Sequence, residues 1–178
     1  MQLALETEVL FELSLAIGES AELEPMLRHV LTRMLRLLNG SGAKVVRVVE
    51  DEGGRATRAQ VACAVPRNLN QHGRYRAFHE RWPHLALHAA LAEEHASRPL
   101  TVALDDATVH AFQLPGFGFL LFFKNQGALP EGLLRAFAPL ARKLATSARA
   151  CLVEEELRRQ SHRLELATSS ADIGVWEF

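Results

Sequence analysis

At 178 residues and 48% apolar composition, the chain is long enough for one globular domain of roughly 150 residues plus a tail, and a domain of that size needs no disulfide or metal to hold its core. Twenty Lys and Arg against 21 Asp and Glu leave a formal charge of −1, which gives no electrostatic case for DNA, RNA or an anionic membrane as partner. The only cysteines, Cys63 and Cys151, argue against a disulfide scaffold, and with no signal peptide or membrane-length apolar run in view the expected location is cytoplasmic.

Leu3, Val9, Leu10, Leu13, Ala16 and Ile17 lie on one helical stripe over residues 3–17, which Gly18 closes. Pro25 suits the first turn of a second helix whose apolar positions are Leu27, Val30, Leu31, Met34, Leu37 and Leu38, with Asn39-Gly40 at its end. Valine-rich residues 43–49 and residues 57–65, separated by Asp51-Glu52-Gly53-Gly54 and stopped by Pro66, predict an antiparallel hairpin. In the second of these strands Val61, Cys63 and Val65 are expected on one face. Residues 67–99 mix Asn, Gln, His and Arg with Tyr75, Phe78 and Trp82, and then predict a helix from about Leu85 to His95. Long insertions of this kind cover a site or a sheet face.

Strands are expected at Leu100–Leu104, Val109–Leu114 and Phe117–Lys124. The last is apolar on both faces and should be central in its sheet. From Pro130 onward only Pro139 interrupts helix-forming sequence before Gly174, so a helix over 131–170 would run about 60 Å and outreach the domain it leaves.

This order of elements resembles a GAF domain. The resemblance is carried by Leu10-Phe11-Glu12-Leu13-Ser14-Leu15-Ala16-Ile17 with Leu27–Leu38 as paired N-terminal helices, by Arg98-Pro99-Leu100-Thr101-Val102, and by the hairpin Leu114-Pro115-Gly116-Phe117-Gly118-Phe119-Leu120-Leu121. The helix from Leu133 to Cys151 completes it. It implies an α+β fold over residues 1–150: a central antiparallel sheet with a helical bundle on one face, a ligand pocket on the other and a long C-terminal connector helix. Residues 151–166 would be the connector. Asp172-Ile173-Gly174-Val175-Trp176-Glu177-Phe178 resembles the opening of a PAS domain, making 167–178 its truncated start and the chain a piece of a longer signalling protein. By analogy the output is a GGDEF-type diguanylate cyclase turning over cyclic-di-GMP, with a histidine kinase as the alternative.

Within the resemblance, Cys63 precedes Ala64 and Cys151 precedes Leu152, where bilin-binding members carry a cysteine followed by histidine, so no bilin is expected. Two distant cysteines cannot supply sulfoxide-reductase chemistry, and the cyclic-nucleotide signature is missing. An unnamed small molecule is the expected ligand, with Cys63, Tyr75, Phe78, Trp82, Phe117 and Phe119 as candidate contacts. The aromatics can equally form a miniature core, and a buried cysteine usually packs as a small hydrophobe.

His84, His88 and His95 fall near one helical face. Zinc would need a fourth ligand that the sequence does not place there, so no metal is expected and a pH response is the more tenable role. Gly116-Phe117-Gly118 lacks the strand-to-helix context of a phosphate loop. No GxSxG, GxxxxGK[ST], HExxH or close cysteine pair occurs, so the fragment is read as non-enzymatic. Along the C-terminal helix, Leu133, Phe137, Leu140, Leu144, Ser147 and Cys151 would dock on the domain. Ala150, Val153, Leu157, Gln160, Leu164 and Ala167 then form a second register, expected to be the seam of a parallel homodimer with Glu154–Arg158 and Glu155–Arg159 pairs beside it. A ligand-free dimerisation scaffold is the reading that competes with sensing.

Overall fold

The computed structural model describes residues 2–71, 73–93 and 99–172. Helices α1 (Gln2–Ala16) and α2 (Leu23–Leu38) come first, and α2 buries Met26, Leu27, Val30, Leu31, Met34 and Leu38 at the spacing of one apolar stripe. It ends where Asn39 takes left-handed backbone and the Gly40 N–H reaches back to the Leu35 carbonyl at 2.9 Å. Strands β1 (Gly42–Glu50), β2 (Ala56–Val65), β3 (Leu100–Ala103), β4 (Thr108–Leu114) and β5 (Gly118–Lys124) form an antiparallel sheet in the order β2-β1-β5-β4-β3. The fold is thus α+β, and the expected central strand β5 is buried on both faces.

Each face of the sheet has its own core. Ala43, Val45, Phe112, Leu114, Leu120 and Phe122 pack against α1, α2 and the C-terminal helix α5 (Glu131–Asp172). On the other face, Val46, Val48, Val109, Ala111, Phe119, Leu121 and Phe123 pack beneath the insertion, which folds as a single 3₁₀ turn (Leu69–Gln71) and helices α3 (Gly73–Arg81) and α4 (His84–Glu93). Fully burying each phenylalanine of β5 contributes about 1.5–3 kcal/mol, so this one strand ties the two cores together.

Three expectations change. Residues 73–81, unassigned from sequence, are helical: Tyr75, Phe78 and Trp82 fall at i, i+3 and i+7, and the first two are buried against Phe123 at ring separations of 4.6 and 5.7 Å. Val61, Cys63 and Val65 do not share a face. Val45 pairs with Cys63 and Val46 with Val61, so Ala62 is an extra residue that turns Cys63 into the α1/α2/α5 core while Val61 stays on the insertion side. Phe117 belongs to the turn before β5, not to the strand: its N–H bonds the Leu114 carbonyl at 3.0 Å and its own carbonyl accepts from Val48 N–H at 2.8 Å. Gly118 follows at φ +149°, where a Cβ would sit 2.1 Å from the Val46 oxygen. That backbone sends Phe117 to the α5 side and Phe119 to the insertion side.

Helix α5 runs unbroken through Pro139. It buries Leu133, Phe137, Leu140, Ala141, Leu144, Ala145, Ala148 and Cys151, whereas every residue from 156 to 169 is exposed. The change of register expected near Cys151 is therefore where α5 leaves the domain. Glu154 pairs with Arg158 at 2.5 Å as expected, but Arg159 takes Glu156 at 3.0 Å in place of Glu155. Glu155 is otherwise engaged: its Oε1 accepts the Leu23 N–H at 3.1 Å and caps α2, for which Glu22 offers no side-chain bond. Ile173–Phe178, which carry the PAS resemblance, lie outside the described residues, as does His95. Among the described residues no helix is long and apolar enough to cross a membrane.

Candidate functional site

Lys44 is the third residue of β1, so the strand period of two aims it at the insertion side with Val46 and Val48. It is fully buried. Its Nζ lies 2.5 Å from His79 Nε2 and 3.1 Å from His84 Nε2. His79 is in the last turn of α3 and His84 opens α4, so the Trp82-Pro83 corner brings the two rings edge to face, 5.1 Å between centroids. Phe123 and Phe119 flank them at 6.4 and 6.0 Å.

In this apolar layer every cation is disfavoured. Burial brings Lys44 down to about 7, and burial together with the nearby lysine charge brings His79 to about 3 and His84 to about 4. The ammonium donates to both Nε2 atoms, which requires each neutral ring to carry its proton on Nδ1. Among the described residues, His79 Nδ1 and Trp82 Nε1 are buried without a hydrogen-bond partner, at a cost of about 1–3 kcal/mol each. The cluster can thus take up or release one proton near neutral pH. Sequence reading missed it; the signal was a single cation inside the apolar run Gly42-Ala43-Lys44-Val45-Val46.

The candidate ligand contacts divide between the two cores. Tyr75, Phe78 and Phe119 pack together on the insertion side with Trp82 beside them, while Cys63 and Phe117 lie on the α5 side. Burial raises the Cys63 thiol, away from thiolate chemistry. The Tyr75 hydroxyl is tied to Ser41 Oγ at 2.8 Å. His84 turns in to Lys44, and His88, one turn along α4, tilts over Phe119 at 6.4 Å. Among the described residues no three His, Cys, Asp or Glu side chains converge as metal ligands.

A cleft of about 720 Å³ opens where the two layers meet at the end of the sheet. That is within the usual range for small-molecule sites. Val48, Phe117 and Leu152 are among its apolar lining residues, and Arg47, His88, Gln113 and Arg149 are among the polar ones. It therefore touches β1, α4, the β4–β5 turn and the last docked turn of α5 at once. The Gln113 Oε1 atom is buried in its wall with no hydrogen-bond partner among the described residues. Of the described residues proposed from sequence, Phe117, His88 and Val153 border this cleft; Arg47 and Arg149, surface-like in sequence, gave no signal.

No protein-family model matches the chain, and no curated protein matches it.

Proposed function

We propose that this chain is a small-molecule-sensing regulatory domain of GAF type, joined by a helical connector to the start of a PAS domain in a cytoplasmic bacterial signalling protein with a GGDEF-type diguanylate cyclase output. One observation carries the reading: the cleft is lined by the sheet, by α4 and by Arg149, Leu152 and Val153 of α5, at the point where that helix leaves the domain. A molecule bound there has different contacts for different placements of α5, and differential contact is what shifts a conformational equilibrium. Val153, Leu157 and Leu164 are 61%, 59% and 69% exposed. Such large apolar side chains at seam spacing suit a parallel dimer, with Gln160 fixing register and the dimer passing the shift onward.

The first test is native mass spectrometry of the purified protein, followed by denaturation to release any bound small molecule. A dimer with a bound species supports the reading, and a monomer sinks the seam. Leu157→Glu with Leu164→Glu should abolish dimerisation in sedimentation while leaving the melting temperature unchanged, because neither side chain packs on the domain.

A ligand-free dimerisation module is the second reading. It is favoured by the filled layer under the insertion, where Tyr75, Phe78, Leu87 and Leu91 are buried against the sheet. A thermal-shift screen in which no compound stabilises the protein would favour it.

A further inference from the structure

The charged side chains of the cleft are unevenly matched. Arg47 and Arg149 both line it, and neither forms an ion pair among the described residues; Glu50, the one carboxylate among the described lining residues, is exposed, as is Arg149. The two arginines flank the bare turn between β4 and β5. Arg47 stands opposite Gly118 in the β1–β5 register, and Arg149 lies over Gly116 so closely that a Cβ there would be 3.0 Å from its Nη1. The Gly-Phe-Gly turn is thus where two guanidinium groups from separate elements gain access to one cleft. Gln113 adds a buried acceptor, Oε1, that no group among the described residues satisfies. Val48, Phe117 and Leu152 supply apolar wall.

We infer that the cleft takes a small organic anion: a carboxylate or phosphate on Arg47 and Arg149, a hydrogen-bond donor on Gln113 Oε1, and an apolar body against Val48, Phe117 and Leu152. Arginine suits this role because its planar fork meets carboxylate and phosphate through paired donors. The inference rests on the sensing reading and adds a direction to it. Arg47 belongs to the sheet and Arg149 to α5, so the anion would bridge the sheet to α5 about two turns before that helix's exposed stretch.

The test is a titration followed by ¹H–¹⁵N correlation NMR with hippurate, which carries a carboxylate, an amide N–H and a phenyl ring, beside the neutral hippuramide, with phenylphosphate as a second anion. Either anion should shift the Arg47 and Arg149 guanidinium signals and the Gln113 side-chain signal saturably, with hippuramide at least tenfold weaker. R47Q and R149Q should each weaken anion binding at least fivefold with an unchanged melting temperature, while R142Q, outside the cleft, should bind as the parent does. Equal shifts from hippurate and hippuramide overturn the anion assignment and leave a small-molecule site standing. No response at these signals to any of the three probes also overturns it; the mass spectrum of the native protein then decides the sensing reading separately.

Discussion

Replacing Lys44 by methionine isolates the energetic effect of the buried cation, because methionine has similar reach and no charge. In the folded chain Lys44 titrates at about 7, against 10.5 for an ordinary lysine. At 1.36 kcal/mol per unit, the difference is about 5 kcal/mol of disfavoured charge. The folded value lies below the unfolded one, so between pH 7 and 10.5 the unfolded chain holds the extra proton. Stability therefore rises with pH across that window and is lost as pH falls towards 7. Half-titrated at pH 7, Lys44 should add about 2 kcal/mol of stability between pH 7 and 8.5, or about 1 M in urea midpoint for an m-value of about 2 kcal/mol/M.

The slope is more diagnostic than the offset. K44M relieves about 4 kcal/mol at pH 7 but leaves His79 and His84 Nε2 without their shared donor, at about 1–3 kcal/mol each, so these effects nearly cancel. Urea unfolding followed by circular dichroism at four pH values from 7.0 to 8.5, for the parent and K44M, measures the slope directly. The parent should gain stability along the series and K44M should stay flat. Parallel slopes in the two proteins would refute the account of Lys44 as a desolvated cation.

Three further outcomes are expected. Gly118→Ala places a methyl group 2.1 Å from the Val46 oxygen at φ +149°, so it should cost at least about 3 kcal/mol, roughly 10 °C in melting temperature; a loss under 1 kcal/mol would contradict the turn geometry. Glu155→Ala removes the cap on Leu23 N–H and should cost about 0.5–2 kcal/mol in thermal unfolding, with Glu155→Gln recovering part of it through the retained acceptor. His110 is fully buried, accepting from Leu129 N–H at 3.1 Å and meeting Thr101 Oγ1 at 2.9 Å, and burial lowers it to about 4. Its folded value again lies below the unfolded 6.5, so its contribution is present above pH 6.5 and about 2 kcal/mol is lost by pH 5; His110→Gln should flatten the acid limb of a denaturation series by that amount.

The periodicities of the sequence located most elements, because a helical stripe such as Met26 to Leu38 or an all-apolar strand such as β5 leaves little choice of burial. What failed was any inference that needed strict alternation across an irregular point. Ala62 is inserted in the β2 pairing and Gly118 turns the chain at the start of β5; both shift side chains between cores without changing composition. Lys44 was hidden for a related reason. A lysine in a strand reads as outward-facing, and only the insertion folding over that face makes the position interior. His79 and His84 are 35 and 40 residues away in sequence and meet Lys44 only through the α3–α4 corner. The cleft was the least legible part, since its cationic residues come from a strand and a helix more than 100 residues apart.

The cap that Glu155 places on α2 makes α5 a lever. The stretch from Glu156 to Asp172 spans about 25 Å at 1.5 Å per residue. A pivot of about 10° at Glu155 would carry the far end about 4 Å sideways. A small change of tilt beside Glu155 would thus arrive at the other end as a sideways displacement of several ångströms.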